Sequence, residues 1–136
     1  EEKKFPVRDL FLYASKKSSG QKVEFKGKNY TVKELTLASM ADFSSIDIAL
    51  LSAGIETSQT FIPLITKEGT ICIDNSTAFR MDPDVPLIVP EVNFSNLLEY
   101  RKKNIIGNPN CTVIQLVQVL KPIHDAFKIK RAGHYN

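Results

Sequence analysis

Short apolar runs that end at turn-forming residues recur along the chain, and runs of this kind predict buried strands. They occupy residues 10–15, 46–52, 70–74, 87–89 and 104–107. The run at 46–52 is apolar on both faces, which is typical of a central strand in a parallel sheet. Polar and apolar residues alternate over 21–25 and 29–32, and Gly27 between them predicts a hairpin turn.

Helical patterns separate several of these runs. Residues 57–67 carry an apolar stripe at helical spacing, and Gly69 follows as a stop signal. Residues 94–103 also have a helical pattern, whereas the pattern over 35–43 is compatible with a short helix or with a loop. The longest pattern, over 111–127, has apolar residues around much of its circumference, so we expect a buried helix there.

Strands that alternate with helices predict an α/β fold with a mostly parallel sheet and helices on both faces. Right-handed crossovers then bring the carboxyl ends of the strands to one edge, where such sheets bind ligands. Four polar segments each follow a predicted strand, at 15–20, 52–58, 75–80 and 108–111. We therefore expect these segments to meet at one crevice.

Composition excludes several classes of protein. The chain has 136 residues, 43% hydrophobic and 24% charged, as in an ordinary globular domain. The net charge is only +3 and the basic residues do not gather with aromatic ones, so we expect no nucleic-acid partner. No apolar stretch approaches the roughly 20 residues that span a bilayer, so we expect no membrane partner. Two cysteines are too few for a disulfide scaffold, which favours a reducing, cytoplasmic location.

No metal site is expected, because the chain has no His-x-x-x-His or Cys-x-x-Cys spacing and no carboxylate cluster. The two histidines, His124 and His134, are more typical of structural side chains than of catalytic ones.

Cys111 follows the turn Asn108-Pro109-Asn110, in which Asn110 is a favourable N-cap for the long helix. Unpaired N–H groups and the helix dipole at this end favour the thiolate, which is the nucleophilic form, and could stabilise an oxyanion. The alternative is a small buried residue that merely begins a helix, and the residues alone leave the two about equal. Cys72 lies between two isoleucines in a strand, and we expect it to be structural.

Two other polar segments carry groups that bind anions. Arg80, in a loop at a strand end, could hold a phosphate or carboxylate by a bidentate contact, or form only a surface ion pair with Asp82 or Asp84. The loop at 15–20 is basic and hydroxylic, which suits the 2′-phosphate of a dinucleotide, although an ordinary solvated turn explains its composition too.

Taken in order, these motifs resemble the aspartate-semialdehyde dehydrogenase family, over the chain to about residue 130. The matching segments are Phe5-Pro6-Val7, residues 14–20, Ser52-Ala53-Gly54, residues 74–87, residues 89–93 and Asn108-Pro109-Asn110-Cys111-Thr112. The long block at 74–87 and the Asn-Pro-Asn-Cys motif are specific, whereas Ser-Ala-Gly alone is not.

The resemblance implies a Rossmann-like NADP-binding domain. The family reduces aspartyl phosphate to aspartate semialdehyde with NADPH, on the route to lysine, methionine, threonine and, in bacteria, diaminopimelate. In the reverse direction a Cys thiolate attacks the aldehyde, hydride passes to NADP⁺, and phosphate cleaves the resulting thioester. The resemblance thus implies a small-molecule substrate, inorganic phosphate and, for the full-length protein, a homodimer.

By position, the resemblance implies that Cys111 is the nucleophile and that Asn110 is a catalytic residue that supports this nucleophile. It also implies that Arg80 binds the phosphate. The cofactor-binding positions are Ser15, Lys17, Ser18, Ser52, Ala53, Gly54, Asn75 and Ser76. Lys17 stands where many members of the family carry Arg, which weakens the match at the 2′-phosphate.

The chain also departs from the family pattern. It lacks the first βα unit, whose Gly-rich turn holds the pyrophosphate, and the second domain, which supplies a general-base His and a substrate-binding Arg. We expect residues 1–130 to form a partial NADP-binding domain that carries the nucleophile. Residues 131–136 form a tail that departs from the family pattern and whose origin the sequence does not determine. We expect the chain by itself to be inactive.

Two other hypotheses stay open. An N-acetyl-γ-glutamyl-phosphate reductase would use the same chemistry, but its Cys usually follows Gly, so Asn110 counts against it. A non-catalytic paralogue would explain the absent general base, although the presence of Cys111 and Arg80 argues against a dead homologue.

Overall fold

The computed structural model describes residues 6–133. The predictions that concern Phe5, His134 and the last residues of the tail therefore lie outside the described residues. The chain divides into two units, residues 1–42 and 43–136, and each is described by itself. The predicted α/β class is confirmed, because parallel strands connected through helices make up the second unit.

The first unit contains a three-stranded mixed sheet in the order β1-β3-β2. Its strands are β1 (Leu12–Ala14), β2 (Lys22–Phe25) and β3 (Lys28–Glu34). β1 runs parallel to β3, and β2 runs antiparallel to it. Lys26 and Gly27 join β2 to β3 with φ angles of 51° and 75°, the conformation that two-residue hairpin turns require. The predicted hairpin is confirmed.

A polar cluster within the first unit links β1 and β3 to Asp42. The Tyr13 hydroxyl and the Lys33 ammonium donate to the same Asp42 oxygen at 2.9 and 3.0 Å. Burial and the bond to Asp42 raise the pKa of Tyr13 to about 12. The bonds from Lys33 and Tyr13 lower the pKa of the Asp42 carboxyl.

The second unit contains a parallel three-stranded sheet in the order β4-β5-β6. Its strands are β4 (Ile48–Leu51), β5 (Ile71–Asp74) and β6 (Ile105–Gly107). A 3-10 helix, Leu37–Ser45, precedes β4 and crosses the boundary between the units in sequence. The register pairs Leu51 with Asp74 and Asp74 with Gly107, so the carboxyl ends of all three strands lie at one edge.

Three α-helices connect or follow these strands. They are α1 (Ile55–Lys67), the single turn α2 (Pro90–Asn93) and α3 (Cys111–Phe127). A second 3-10 helix, Phe94–Lys102, follows α2, so the helical pattern predicted for 94–103 is present but more tightly wound. Gly69 has a φ of 92° just after α1, and the predicted stop signal there is confirmed. No helix within residues 6–133 is both long and apolar enough to cross a bilayer.

The core of the second unit lies where α1 packs on β5. Ile62 and Ile65 of α1 and Cys72 of β5 are at most 1% exposed. Just before β5, the hydroxyl of the buried Thr70 donates to the carbonyl oxygens of Phe43 and Ile46 at 2.7 and 2.9 Å. These bonds satisfy a buried hydroxyl and connect the start of β5 to the segment that leads into β4.

Two predictions about strands are wrong. β4 lies at the edge of the described sheet and Leu50 is 78% exposed, so β4 is not a strand covered on both faces. Residues 87–89 form only one bridge, from Leu87 to Gly107. The bridge to Gly107 uses the Pro86 carbonyl and the Ile88 N–H, and it goes no further because Pro90 has no N–H and begins α2. On the other side of the segment, the Asn93 side chain accepts from the Val89 N–H at 2.9 Å and donates to the Leu87 carbonyl at 2.8 Å.

The prediction for α3 is confirmed in its bounds and wrong in its burial. The helix covers Cys111–Phe127, but none of its residues is fully buried. Val119 is 63% exposed and Phe127 is 80% exposed. Among the described elements α3 contacts α2, which has only one turn and can cover only part of the apolar circumference of the helix.

Candidate active site at the carboxyl edge of the second sheet

Three segments leave the parallel sheet at its carboxyl edge, after β4, β5 and β6. Main-chain hydrogen bonds continue the sheet one residue beyond the strands. The Asn75 N–H donates to the Leu51 carbonyl at 2.9 Å, and the Asn108 N–H donates to the Asp74 carbonyl at 2.8 Å. Within the second unit, the predicted convergence of the segments after these strands is therefore confirmed.

Asn75 joins the three segments through its side chain. Its amide nitrogen donates to the Ser52 hydroxyl at 3.3 Å, and its amide oxygen accepts from the side chain of Asn108 at 2.7 Å. Its carbonyl oxygen accepts from Arg80 Nη2 at 3.1 Å. With the main-chain bond to Leu51, every polar group of Asn75 has a partner, so this residue has a fixed orientation.

Arg80 is held by main-chain oxygens rather than by carboxylates. Its Nε donates to the Asn108 carbonyl at 3.0 Å, in addition to the bond from Nη2 to Asn75. Among the described residues, Asp82 and Asp84 pair instead with Lys102 and Lys103. The surface ion pair considered for Arg80 is therefore wrong. The guanidinium is fixed in place without being neutralised, and its planar fork has further N–H groups for an oxyanion.

Cys111 is the first residue of α3 and its side chain is exposed. Asn110 caps the helix, since its side-chain oxygen accepts from the Thr112 N–H at 2.9 Å. The predicted N-cap is confirmed. The Cys111 sulfur lies 4.0 Å from the same Asn110 oxygen. A thiol in this position is open to solvent and next to the N–H groups of the first helical turn, of which the Thr112 N–H is bound by Asn110.

Cys72 has the opposite environment. It is fully buried in β5, and burial, with a smaller effect of the Asp74 charge, raises the pKa of its thiol to about 12. A thiol that stays protonated and inaccessible is not a nucleophile. The structural interpretation of Cys72 is confirmed.

Ser52, Ala53 and Gly54 form the exposed turn from β4 into α1. Gly54 has φ 94° and ψ 171°, a region that is essentially restricted to glycine. Apart from Gly54 itself and its two chain neighbours, no described atom lies within 4 Å of the place where a Cβ would stand at Gly54. The backbone here is open to the close approach of another molecule.

Ser76 is half-buried, and its hydroxyl is used within the protein. It donates to Asp74 at 2.7 Å and accepts from the Ala78 N–H at 3.0 Å. The family resemblance implies that Ser76 and Asn75 contact the cofactor, and in the structure both side chains bind other parts of the protein.

Ser15, Lys17 and Ser18 lie in the first unit, directly after β1. The Ser15 carbonyl accepts the N–H groups of Ser18 and Ser19 at 3.0 and 3.2 Å, which closes a turn. The Lys17 side chain is exposed. A cation and two hydroxyl groups in one turn are a suitable donor set for a phosphate ester.

No role was predicted for Asn108, Asp74 or Ser58, which the structure links to the site. Asn108 belongs to the turn before Cys111, and an amide side chain beside a proline turn was the available signal. Asp74 is an acidic residue at the end of a buried strand, which is an equally visible signal. His124 is exposed on α3, and no group of three or more potential metal ligands occurs among the described residues.

Comparison with known proteins identifies the family. A family model described as the NAD-binding domain of semialdehyde dehydrogenase matches residues 1–100. The chain belongs to this family. The aspartate-semialdehyde dehydrogenase of Aquifex aeolicus is 55% identical over 131 residues, and that of Campylobacter jejuni is 49% identical over the same length. Each alignment covers 96% of this chain.

Solved structures of semialdehyde dehydrogenases share the fold. Aspartate semialdehyde dehydrogenase II from Vibrio cholerae, solved in complex with ASA, superposes with a TM-score of 0.85 at 47% identity and covers 90% of this chain. A probable aspartate-semialdehyde dehydrogenase from Pseudomonas aeruginosa superposes with a TM-score of 0.75 at 28% identity and covers 89% of this chain. The predicted Rossmann-like architecture is confirmed by these neighbours.

The chain spans 38% of the length of its Aquifex and Campylobacter relatives, and 39% and 35% of the two solved chains. The similarity thus concerns the part of these proteins that this chain covers.

Proposed function

We propose that this chain is the part of an NADP-dependent aspartate-semialdehyde dehydrogenase that carries the nucleophile. The whole enzyme would interconvert L-aspartate 4-semialdehyde plus phosphate and 4-aspartyl phosphate. The observation that carries the proposal is the bond from Arg80 to the Asn108 carbonyl, which ties an anion-binding side chain to the turn that leads into Cys111. The names of the relatives support the same reaction.

Cys111 is the proposed nucleophile. In the oxidative direction its thiolate attacks the aldehyde carbon, and a new C–S bond forms while the carbonyl oxygen takes the negative charge. N–H groups of the first turn of α3 are suited to stabilise this oxyanion. Loss of hydride from the same carbon leaves a thioester on Cys111. Phosphate then attacks the thioester carbon, the C–S bond breaks, and the products are 4-aspartyl phosphate and the free thiolate.

Arg80 is the proposed phosphate-binding residue. Its backbone contacts hold the guanidinium plane without using a carboxylate, so the side chain keeps its positive charge for a bound anion. A phosphate bound there would lie near the segment that precedes the thioester, which favours its attack on the carbonyl carbon.

Each unit contains residues that fit one part of a dinucleotide. The turn with Ser15, Lys17 and Ser18 would hold the 2′-phosphate, and this basic donor set is the reason to propose NADP rather than NAD. The Ser52–Gly54 turn, with its open backbone at Gly54, would approach the rest of the cofactor, together with Asn75 and Ser76. When bound, the cofactor accepts the hydride in the oxidative direction.

The whole-protein properties belong to the same proposal. The full-length protein would be a cytoplasmic, homodimeric enzyme of lysine, methionine and threonine biosynthesis. Its general base would come from a part of the protein outside this chain. Neither nucleic acid nor membrane is a proposed partner. By itself the chain would be inactive, because it would lack that base.

The test is an assay of the full-length protein with aspartate semialdehyde, phosphate and NADP⁺. We expect Cys111→Ser to lower kcat by about 10³-fold or more, because a hydroxyl cannot replace the thiolate. Cys72→Ala is the matched control, since it removes the other thiol and should retain turnover. Unchanged turnover in Cys111→Ser would contradict the mechanism. A higher kcat/KM for N-acetylglutamate 5-semialdehyde would instead identify the homologous reductase.

A further inference from the structure

Asp74, the last residue of β5, is a buried carboxylic acid whose side chain is 1% exposed. A buried carboxylate loses its hydration and needs a cation or several hydrogen-bond donors in exchange. Within residues 6–133, no Lys, Arg or His lies in ion-pair distance of Asp74. The described donors that reach it are neutral hydroxyl and main-chain groups.

Three such donors bind the two carboxylate oxygens. Oδ1 accepts from the Ser58 hydroxyl at 2.8 Å and from the Ser76 N–H at 3.0 Å. Oδ2 accepts from the Ser76 hydroxyl at 2.7 Å. Ser58 lies near the start of α1 and is 0% exposed, so this network is enclosed by protein.

The network extends from Asp74 into the loop that leads to Arg80. The Ser76 hydroxyl, oriented by its bond to Asp74, accepts the Ala78 N–H at 3.0 Å. The Asp74 carboxylate therefore determines, directly or through Ser76, the main-chain position of two loop residues. The main-chain carbonyl of Asp74 accepts from the Asn108 N–H at 2.8 Å, so the same residue also binds the segment that precedes Cys111.

A simpler role for Asp74 would be to fasten α1 to β5. That role needs only the bond to Ser58, which a neutral side chain could make. Two of the three described bonds to the carboxylate come instead from Ser76, which lies in the loop and not in α1. Both carboxylate oxygens of Asp74 therefore accept a hydrogen bond from the loop.

We propose that Asp74 is a positioning residue that holds the loop with Asn75, Ser76 and Arg80 in its reactive arrangement. It acts through Ser58 and Ser76 and makes no contact with substrate itself, since it is buried. This role rests on the proposed function, because it concerns the same anion-binding Arg80.

The experiment compares Asp74→Asn, Ser58→Ala and a control in the full-length protein. Asp74→Asn keeps the size of the side chain but turns one acceptor into a donor, so the three bonds cannot all form. Ser58→Ala removes a bond that orients the carboxylate toward Ser76 without removing the carboxylate itself, so this variant still tests the role if Asp74→Asn fails to fold. Thr70→Val is the matched control, because Thr70 is equally buried and hydrogen-bonded beside the opposite end of β5.

We expect Asp74→Asn to lower kcat by about 10²-fold and Ser58→Ala by about tenfold, as small displacements at a reacting centre do. The KM for phosphate should rise in Asp74→Asn, because Arg80 moves with the loop. A loss of folded protein alone does not change KM. Thr70→Val should lower the thermal unfolding midpoint while both kinetic parameters stay at the wild-type values.

Amide hydrogen exchange provides a second measurement that needs no turnover. The Ser76 and Ala78 amides should exchange faster in Asp74→Asn than in wild type, and Thr70→Val should leave them unchanged. If the wild-type protein does not oxidise aspartate semialdehyde, the proposed function fails, and the exchange rates still decide whether Asp74 holds the loop. Unchanged exchange in Asp74→Asn overturns the positioning role. The role is also overturned if Asp74→Asn exchanges faster but keeps wild-type kinetics. It is overturned as well if Thr70→Val loses as much activity as Asp74→Asn.

Discussion

Cys72 and Cys111 show how far the environment of a residue determines its chemistry. One thiol is enclosed in β5 with a pKa of about 12, and the other is exposed at the first position of α3. The two isoleucines that flank Cys72 predicted its burial. For Cys111 the neighbouring residues left an exposed nucleophile and a small buried residue about equal, and the structure shows that this thiol is exposed.

Thiol labelling should separate the two cysteines. We expect iodoacetamide to modify Cys111 in the native protein at least on the order of 10³-fold faster than Cys72, because a thiol with so high a pKa has little thiolate near pH 8. The measurement is the rate of mass increase at each cysteine-containing peptide. In denaturant the two rates should converge. Equal rates in the native protein would contradict the different environments assigned to these thiols.

Arg80 marks the limit of prediction from neighbouring residues. Asp82 and Asp84 are its nearest carboxylates in sequence, yet its described partners are two main-chain oxygens, one of them 28 residues away. A carbonyl oxygen belongs to every residue, so nothing in the sequence distinguishes the ones that Arg80 binds. The bonds exist because the sheet brings Asn75 and Asn108 together.

At the scale of elements, the sequence predicted the helices and turns whose conformation depends on residues close to one another in the chain. The hairpin depends on the glycine at a positive φ, and α3 begins at its own N-cap. The strand expected at 87–89 is reduced to one bridge because Pro90 has no N–H to continue the pairing and begins α2. An apolar run indicates burial, but it does not show where the main-chain groups find their partners.

The single bridge between Leu87 and Gly107 gives a test of packing between elements. A Cβ at Gly107 would lie 2.6 Å from a methyl carbon of Leu87, so Gly107→Ala should lower the free energy of unfolding by about 1–3 kcal/mol. In a Leu87→Ala background that methyl group is absent, and the same substitution should cost less. Denaturant unfolding of the four proteins in this double-mutant cycle measures the coupling, and strictly additive losses would contradict the contact.

At the scale of the whole chain, periodicity identified which residues share a face but not what covers that face. The apolar residues of β4 and α3 were expected to be buried, and Leu50 and Phe127 are instead exposed in the described part of the chain. Burial depends on neighbours that are distant in sequence, and an apolar stripe carries no information about them. The predicted α/β class was more secure, because it required only the order of the elements.

Surface ion pairs join residues that are distant in sequence, such as Asp82 and Lys103, and their contribution to stability depends on pH. The Asp82 pKa is lowered, first by the bond from Lys103 and then by the Asp84 N–H, from its ordinary value of 3.8. A lowered pKa in the folded state contributes stability above 3.8 that is lost as the pH falls through the folded value.

We therefore expect Asp82→Asn to lower the thermal unfolding midpoint slightly near neutral pH, with the difference vanishing at about pH 2. Added salt should reduce the neutral-pH difference, since the pair is partly exposed. Asp9→Asn is the control, because it removes a carboxylate whose Arg8 partner is 86% exposed, and it should have a smaller effect. A midpoint difference that grows as the pH falls would contradict the pairing.

The bond between Arg80 and the Asn108 carbonyl couples two groups that would otherwise move independently. Pro109 follows Asn108 and has a fixed φ, so the chain between this bond and Cys111 has few ways to rotate. In the proposed reaction, the phosphate and the thioester that it attacks are then held by one stiff unit. The entropy of aligning these two reactants is lost once, when the chain folds, and not again in every turnover.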